Sequence, residues 1–295
     1  MIMERNFSWI AAAIGLLFCG FVQNPSMPIQ ETFPCVDAEI PRYKAVLTKE
    51  RPVIDGLLED AVWKKAEKSS AFRDLIRGNK THLDTRVAVT WDEQFLYVAY
   101  WVEEPDVTAT LKDRDAPIYQ DNDVELFIAT TDGYYEFEIN AYATIYEVLF
   151  FWEDSFQRNG YASMAEFDRS SPQARPFNGV GFKTHPRGGR VGFWNWDYPG
   201  LQKAVHVNGT LNNSTDRDRG WTVELALPWK GLDILARGDK RAIPPKSGDR
   251  WRMDFSRFNT YKGDANDPGG WAWSPHGVWD SHVPECFTYL EFVKK

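Results

Sequence analysis

The strongest constraint on this fold is a pair of alternating runs, DVELFIAT (123–130) and YYEFEINA (134–141), joined through Asp132-Gly133. Asp-Gly between alternating runs signals a two-residue β-hairpin. A turn centred on that dipeptide sets Thr131 opposite Tyr134, Phe127 opposite Glu138 and Glu125 opposite Asn140. Directly opposed residues share a face of the sheet. Val124, Leu126, Ile128, Phe137 and Ile139 then fall on one face, which builds a core. Asp123, Glu125, Glu136, Glu138 and Asn140 fall on the other, with Phe127 as its only apolar member. That second face is too acidic to be buried without ligands or partners, so function is expected there.

Further along, RVAVTW (86–91) and FLYVAYWVE (95–103) flank Asp92-Glu93-Gln94, which predicts a hairpin. IYEVLFFW (145–152), KAVHV (203–207), GWTVELAL (220–227), DRWRMDFSRF (249–258) and FTYLEFV (287–293) also read as strands. Helical signals are short: Glu59–Lys65 and the turn after Pro228. Many short strands without βα alternation predict an all-β fold, a single sandwich with long loops and one or two short helices. Residues 153–202 hold Gly, Pro, Ser and Arg together with Trp194, Trp196 and Tyr198. Their aromatic content predicts a long loop packed over the sandwich.

With 295 residues and 43% hydrophobic content, the chain can bury a full core as one large domain. A net charge of −8 argues against a nucleic-acid partner, since phosphate binding needs a basic surface. Thirteen Trp, 12 Tyr and 19 Phe suit both a sandwich core and a protein that stacks flat apolar ligand faces. Arg5 precedes an apolar run from Trp9 to Val22, too short to span a membrane but right for the apolar region of an export signal. The expected organisation is a signal peptide or N-terminal anchor over 1–22, a tail over 23–42 and one domain over 43–295. An ordinary buried N-terminal helix is the alternative. Leu16 and Cys19 resemble a lipoprotein cleavage motif, although Phe18 is a poor residue before a lipidated cysteine. Localisation is accordingly expected to be periplasmic, cell-surface or extracellular, with any membrane contact made through the N-terminus alone. Outside the leader only Cys35 and Cys286 remain, and an oxidising compartment would let them pair; two unrelated thiols are the alternative. Asn79, Asn208, Asn212 and Asn213 head glycosylation sequons, which matter only in a eukaryotic secretory pathway.

Several catalytic signatures are absent: there is no CxxC, HExxH, GxSxG, Walker loop or GxGxxG. The five histidines, His82, His185, His206, His276 and His282, show no metal-ligand spacing. The acidic face admits three readings. Glu125 and Glu138 could be the acid and nucleophile of a glycosidase, which needs two carboxylates across the scissile bond. Glu125 with Asn140 could hydrogen-bond vicinal sugar hydroxyls. A solvated or arginine-paired sheet face is the third reading, with Arg252 and Asp254 as neutralising partners. Asp113, Asp115, Asp121 and Asp123 are weak calcium candidates, lacking the EF-hand spacing and reading first as a charged surface loop. Met253 and the histidines could ligate haem, but a lone Met on a strand reads first as core.

The segments RPVIDGLLEDAVWKKA, VTWDEQFLYVAYWVEEPD, QDNDVELFI, YYEFEIN, GWTVELALPW and WAWSPHGVWD occur in this order. Together they resemble carbohydrate-binding module family 9 and its stand-alone exported relatives, within the wider DOMON-like group, from about Tyr43 to Val293. The resemblance implies one β-sandwich that binds sugars without catalysis of its own, serves polysaccharide degradation and works with a glycoside hydrolase that can be encoded separately. It implies that two aromatics sandwich the sugar, carried over to Tyr119 and Trp279. Glu125 and Asn140 take the places of the residues that hold its hydroxyls. Tyr119 stands where the family has Trp, and Glu138 stands where the family has a basic residue, reversing the charge. No cofactor is implied beyond structural calcium. The rivals are a glycoside hydrolase using Glu125 and Glu138, and a haem-binding electron-transfer domain.

Overall fold

The computed structural model describes residues 33–260 and 267–294. The expected leader, Cys19 included, and the first half of the tail (23–32) lie outside the described residues. Among the described residues the alternating segments become strands: β1 (Arg42–Leu47), β2 (Arg73–Asp74), β3 (Thr85–Trp91), β4 (Phe95–Glu103) and β5 (Asp123–Ala129). They continue as β6 (Gly133–Asn140), β7 (Ile145–Trp152), β8 (Ala174–Phe177), β9 (Arg190–Phe193) and β10 (Gln202–Asn208). The last four are β11 (Gly220–Pro228), β12 (Arg250–Phe258), β13 (Gly270–Ala272) and β14 (Thr288–Val293). Two short helices, α1 (Ala61–Lys65) and α2 (Glu153–Arg158), complete an all-β fold.

Twelve of the strands form one continuous path, β10-β11-β4-β3-β1-β14-β12-β5-β6-β7-β9-β8, and β13 and β2 branch from β12. Strand β1 is its seam, running parallel to β3 on one side and to β14 on the other. The path doubles over, so the inward residues of β3, β4 and β11 meet those of β12, β5, β6 and β7 in one core. Val87, Val98, Tyr100 and Val223 from the first layer share it with Leu126, Ile128, Phe137 and Phe255 from the second. The Tyr100 hydroxyl crosses between layers to donate to the carbonyl of Glu125 at 2.7 Å. On the outside of the first layer, Val62 and Trp63 of α1 cover Tyr97 and Ala99. Glu224 anchors that cover, accepting hydrogen bonds from Trp63 Nε1 and from the backbone of Asp55 and Gly56.

The β5–β6 hairpin keeps the expected faces but not the expected partners. Asp123 pairs with Asn140, Glu125 with Glu138 and Phe127 with Glu136, two residues away from the register set by a turn at Asp132-Gly133. The loop is Thr131-Asp132, closed by Thr130 N donating to the Gly133 carbonyl at 2.8 Å. Neither loop residue has a positive φ, so the glycine is not there for left-handed backbone. Gly133 is required because a Cβ there would lie 1.8 Å from the carbonyl oxygen of Phe150 on β7. Asp132 is held by Asn159 Nδ2 and the Tyr161 hydroxyl, at 2.7 and 2.6 Å. A two-residue shift preserves alternation. Glu125 and Asn140 therefore share a face but are diagonal neighbours, not directly opposed.

Residues 153–202 carry more regular structure than a loop. They supply α2, and β9 and β8 extend the sheet beyond β7. Trp196 and Tyr198 pack on Tyr135 in the main core, with ring centroids 5.5 and 5.2 Å away. Cys35 and Cys286 are joined as a disulfide, Cα atoms 5.7 Å apart, tying the segment before β1 to the turn before β14.

Candidate functional site

The outward face of β12, β5, β6 and β7 is not solvated. It floors a cleft of about 370 Å³. Register builds the floor: Ser256 lies opposite Glu125, Glu125 opposite Glu138, and Glu138 opposite Tyr146. One step along, Glu136 lies opposite Val148, and Tyr134 opposite Phe150. The acids are thus flanked by a small apolar cluster that includes Ile118, Phe127, Tyr134, Tyr146 and Phe150. Loops raise the walls. Tyr119 comes from the turn Ile118–Gln120, Phe177 from the end of β8 and Trp194 from just after β9. Trp279, Asp280, Ser281 and His282 come from the loop between β13 and β14.

Tyr119, Glu125, Glu138 and Trp279 all line this one cleft. Tyr119 is 52% exposed, its ring edge-on to Tyr146 at 5.8 Å. Trp279 is half-buried, perpendicular to Phe258 at 5.3 Å. It lies close over β13, where a Cβ on Gly270 would stand 2.5 Å from the indole. Trp194 donates its Nε1 proton to the Tyr146 hydroxyl at 2.6 Å.

Asn140 does not reach the cleft wall. Its amide donates to the Leu111 carbonyl and to Asp121, and its oxygen accepts from the backbone of Tyr142 and Thr144. That side chain shapes the turn after β6. The proposed calcium quartet is likewise dispersed. Asp121 accepts from Thr110, Leu111 and Asn140. Asp115 pairs with Arg114 at 3.6 Å. Among the described residues, the acids whose oxygens converge are Asp123, Glu125 and Glu138, all within 4.8 Å of one another; Asp113 is not among them. Arg252 also departs from expectation. It bonds the carbonyls of Pro284 and Glu285 and lies over Tyr289, so it neutralises none of the floor acids. Met253 is fully buried in the core.

The floor is electrostatically strained toward protonation. Burial pushes Glu125 up to about 8, with the charge of Asp254 adding to it against a hydrogen bond from Ser256. Burial and the neighbouring carboxylates hold Asp123, Glu136 and Glu138 well above the ordinary range. On the wall, burial raises Asp280, but backbone N–H groups outweigh it and keep that carboxyl low. Because burial, Arg190 and His276 push His282 itself down to about 3, it is neutral near pH 7. The N–H donors of Val180, Gly181, Phe182 and His282, all at 2.8–2.9 Å from Asp280, therefore carry that effect. His276 is raised, the partner carboxylate Asp254 outweighing burial.

The cleft can offer ring faces and edges to apolar C–H groups, and carboxyl groups that donate when protonated and accept when ionised. Glycoside hydrolysis asks for two carboxyl groups across the scissile bond, one of them ionised. Glu125 and Glu138 instead stand side by side on one floor, both driven toward the protonated form. Alternation along β7 could have identified Tyr146 and Phe150 from sequence, since both point to the acid side. Nothing in the sequence placed Phe177, Trp194 or His282 beside them.

Residues 54–173 match the model of the family described as carbohydrate family 9 binding domain-like. The resemblance read from the sequence holds for that region, which includes Tyr119, Glu125 and Glu138; Trp194, Phe258 and Trp279 come from chain beyond it. No curated protein matches the sequence. Among solved structures, a Bacteroides uniformis protein whose name proposes carbohydrate binding is 13% identical, with a TM-score of 0.53. The alignment covers 86% of this chain and 99% of that one, and shows a shared fold. A family 9 carbohydrate-binding module from Caldicellulosiruptor kristjanssonii, in complex with cellotriose, is 14% identical over 86% of this chain and 94% of its own, with a TM-score of 0.47. A structure of a family 9 module from the same organism with glucose is 13% identical over 85% and 96%, with a TM-score of 0.46.

Proposed function

We propose that this chain is an exported, non-catalytic carbohydrate-binding protein that takes a sugar into the acid-floored cleft and serves glycan capture in polysaccharide degradation. Any bond cleavage would be left to a separate glycoside hydrolase. The observation that carries the reading is the convergence of exposed Tyr119 and half-buried Trp279 on one cleft with Glu125 and Glu138. A sugar ring buries its C–H face on an aromatic while its hydroxyls take a few fixed donors and acceptors. The carbohydrate family 9-like region supports the same class of ligand. Burying roughly 200 Å² of apolar surface gives about 5 kcal/mol gross at about 25 cal/mol per Å². Association entropy removes much of this, so binding in the micromolar-to-millimolar range is expected.

A glycan array probed with the full chain tests the proposal. Retention of a defined set of glycans is expected, with retention lost in Tyr119→Ala and Trp279→Ala. A folded protein that retains no glycan at millimolar sugar would overturn it.

A further inference from the structure

Three carboxyl groups at the bottom of the cleft are arranged for something other than each other. Asp123, Glu125 and Glu138 each bring an oxygen to within 4.8 Å of the other two. Two of them are steadied by donors of the protein: Asp123 Oδ1 accepts from Phe258 N at 3.0 Å, and Glu125 Oε2 accepts from Ser256 Oγ at 2.7 Å. One oxygen each of Asp123 and Glu138 is fully buried and has no hydrogen-bond partner. These two residues are 0% and 1% exposed, so water does not satisfy them from outside. A buried, unsatisfied carboxylate oxygen is costly, and two beside a third acid are more so.

Among the described residues, no cation bonds them. Arg257 favours ionised Asp123, but its guanidinium bonds Thr85 and Glu104. Arg190 is held by the Tyr134 hydroxyl and the carbonyl of His282. His276 is paired with Asp254 at 3.3 Å.

We infer that Asp123, Glu125 and Glu138 form a calcium site in the floor of the cleft, through which the bound cation helps hold sugar hydroxyls. The second half of that statement rests on the sugar-binding proposal; the first does not. The donor set is oxygen only, with no imidazole or thiolate in the triad, which suits a hard cation. Calcium–oxygen distances of about 2.3–2.6 Å allow oxygens up to about 5 Å apart to share one centre. Calcium takes six to eight ligands, and three carboxylates leave positions to fill. Glu125 and Glu138 line the cleft and Asp123 is fully buried next to them, so positions on the side of Glu125 and Glu138 open to the space a sugar would enter.

The test is a calorimetric titration of the metal-stripped full chain with calcium chloride, without sugar. Wild-type protein is expected to take up calcium, and Glu138→Gln to lose one equivalent or bind it at least tenfold more weakly. Glu125→Gln is the second variant should Glu138→Gln not fold, and the same loss is expected of it. Absence of uptake by wild type up to about 10 mM, beyond the range of weak extracellular calcium modules, would overturn the inference. So would uptake unchanged in a folded Glu138→Gln variant. Sugar binding is measured separately with and without chelator. Its failure with calcium uptake intact refutes the proposed function and leaves the site standing.

Discussion

Glu224 and Glu138 are both buried glutamates on strands of the same sheet, and they do opposite things. Glu224 is 0% exposed and meets three donors, Trp63 Nε1 at 2.6 Å and the backbone N–H groups of Asp55 and Gly56 at 3.1 Å. Glu138 is as deeply buried but faces acids, with one oxygen lacking any partner. The first holds α1 and its leading turn against the sheet. The second costs the fold stability and makes sense only with a ligand. Burial alone does not mark a functional acid here; the identity of its neighbours does.

Removing the satisfied acid should have the largest effect on stability. Glu224→Ala leaves the buried Trp63 indole N–H and Gly56 N–H without an acceptor, each worth about 1–3 kcal/mol, while the N–H of exposed Asp55 can turn to water. We expect a loss of about 3 kcal/mol or more in urea denaturation, and a loss below about 1 kcal/mol would break the comparison. Removing the unsatisfied acid should act in the other direction. Glu138→Gln relieves like-charge crowding, so in calcium-free buffer near pH 8 it should raise stability by about 1 kcal/mol. A destabilisation of Glu224 size would mean that Glu138 is structural.

The pH dependence sharpens the same contrast. Glu125 titrates at about 8 in the fold against an ordinary value of 4.5. The folded state then binds more protons than the unfolded chain between those values, so this group's stabilising contribution is full below about 4.5 and lost as pH rises through about 8. Thermal midpoints in calcium-free buffer should fall across that window, and the fall should shrink in Glu125→Gln. An unchanged slope in that variant would remove Glu125 from the strained set.

The smallest stability effect is expected at the rim. Trp279 is half-buried against Gly270 and Phe258, so Trp279→Ala should cost about 1–2 kcal/mol, less than the roughly 3–5 of a core Trp truncation. A full core-sized loss in thermal or urea unfolding would make it a loop anchor instead of a ligand platform.

Much of this was legible in the sequence because strand alternation is local. The β7 and β4 boundaries, the sandwich class and the two faces of the β5–β6 hairpin follow from period two alone. The hairpin register was misjudged because Asp132-Gly133 signals a turn by itself, whereas Gly133 serves the approach of β7, a contact the local sequence does not show. Asn140 looked like a ligand contact because its face was right; its amide is engaged by Leu111 and Asp121, which alternation cannot reveal. The walls were the least legible part. Phe177, Trp194 and His282 reach the cleft from loops far apart in sequence, placed by tertiary packing.

If the acid-floored cleft is the sugar site, removing its two aromatic walls together must abolish binding. The strongest glycan from the array is titrated calorimetrically into wild type and into a Tyr119→Ala/Trp279→Ala double variant, both shown to be folded by circular dichroism. Micromolar-to-millimolar binding is expected in wild type and none detectable in the double variant. Wild-type affinity retained in the folded double variant would contradict it.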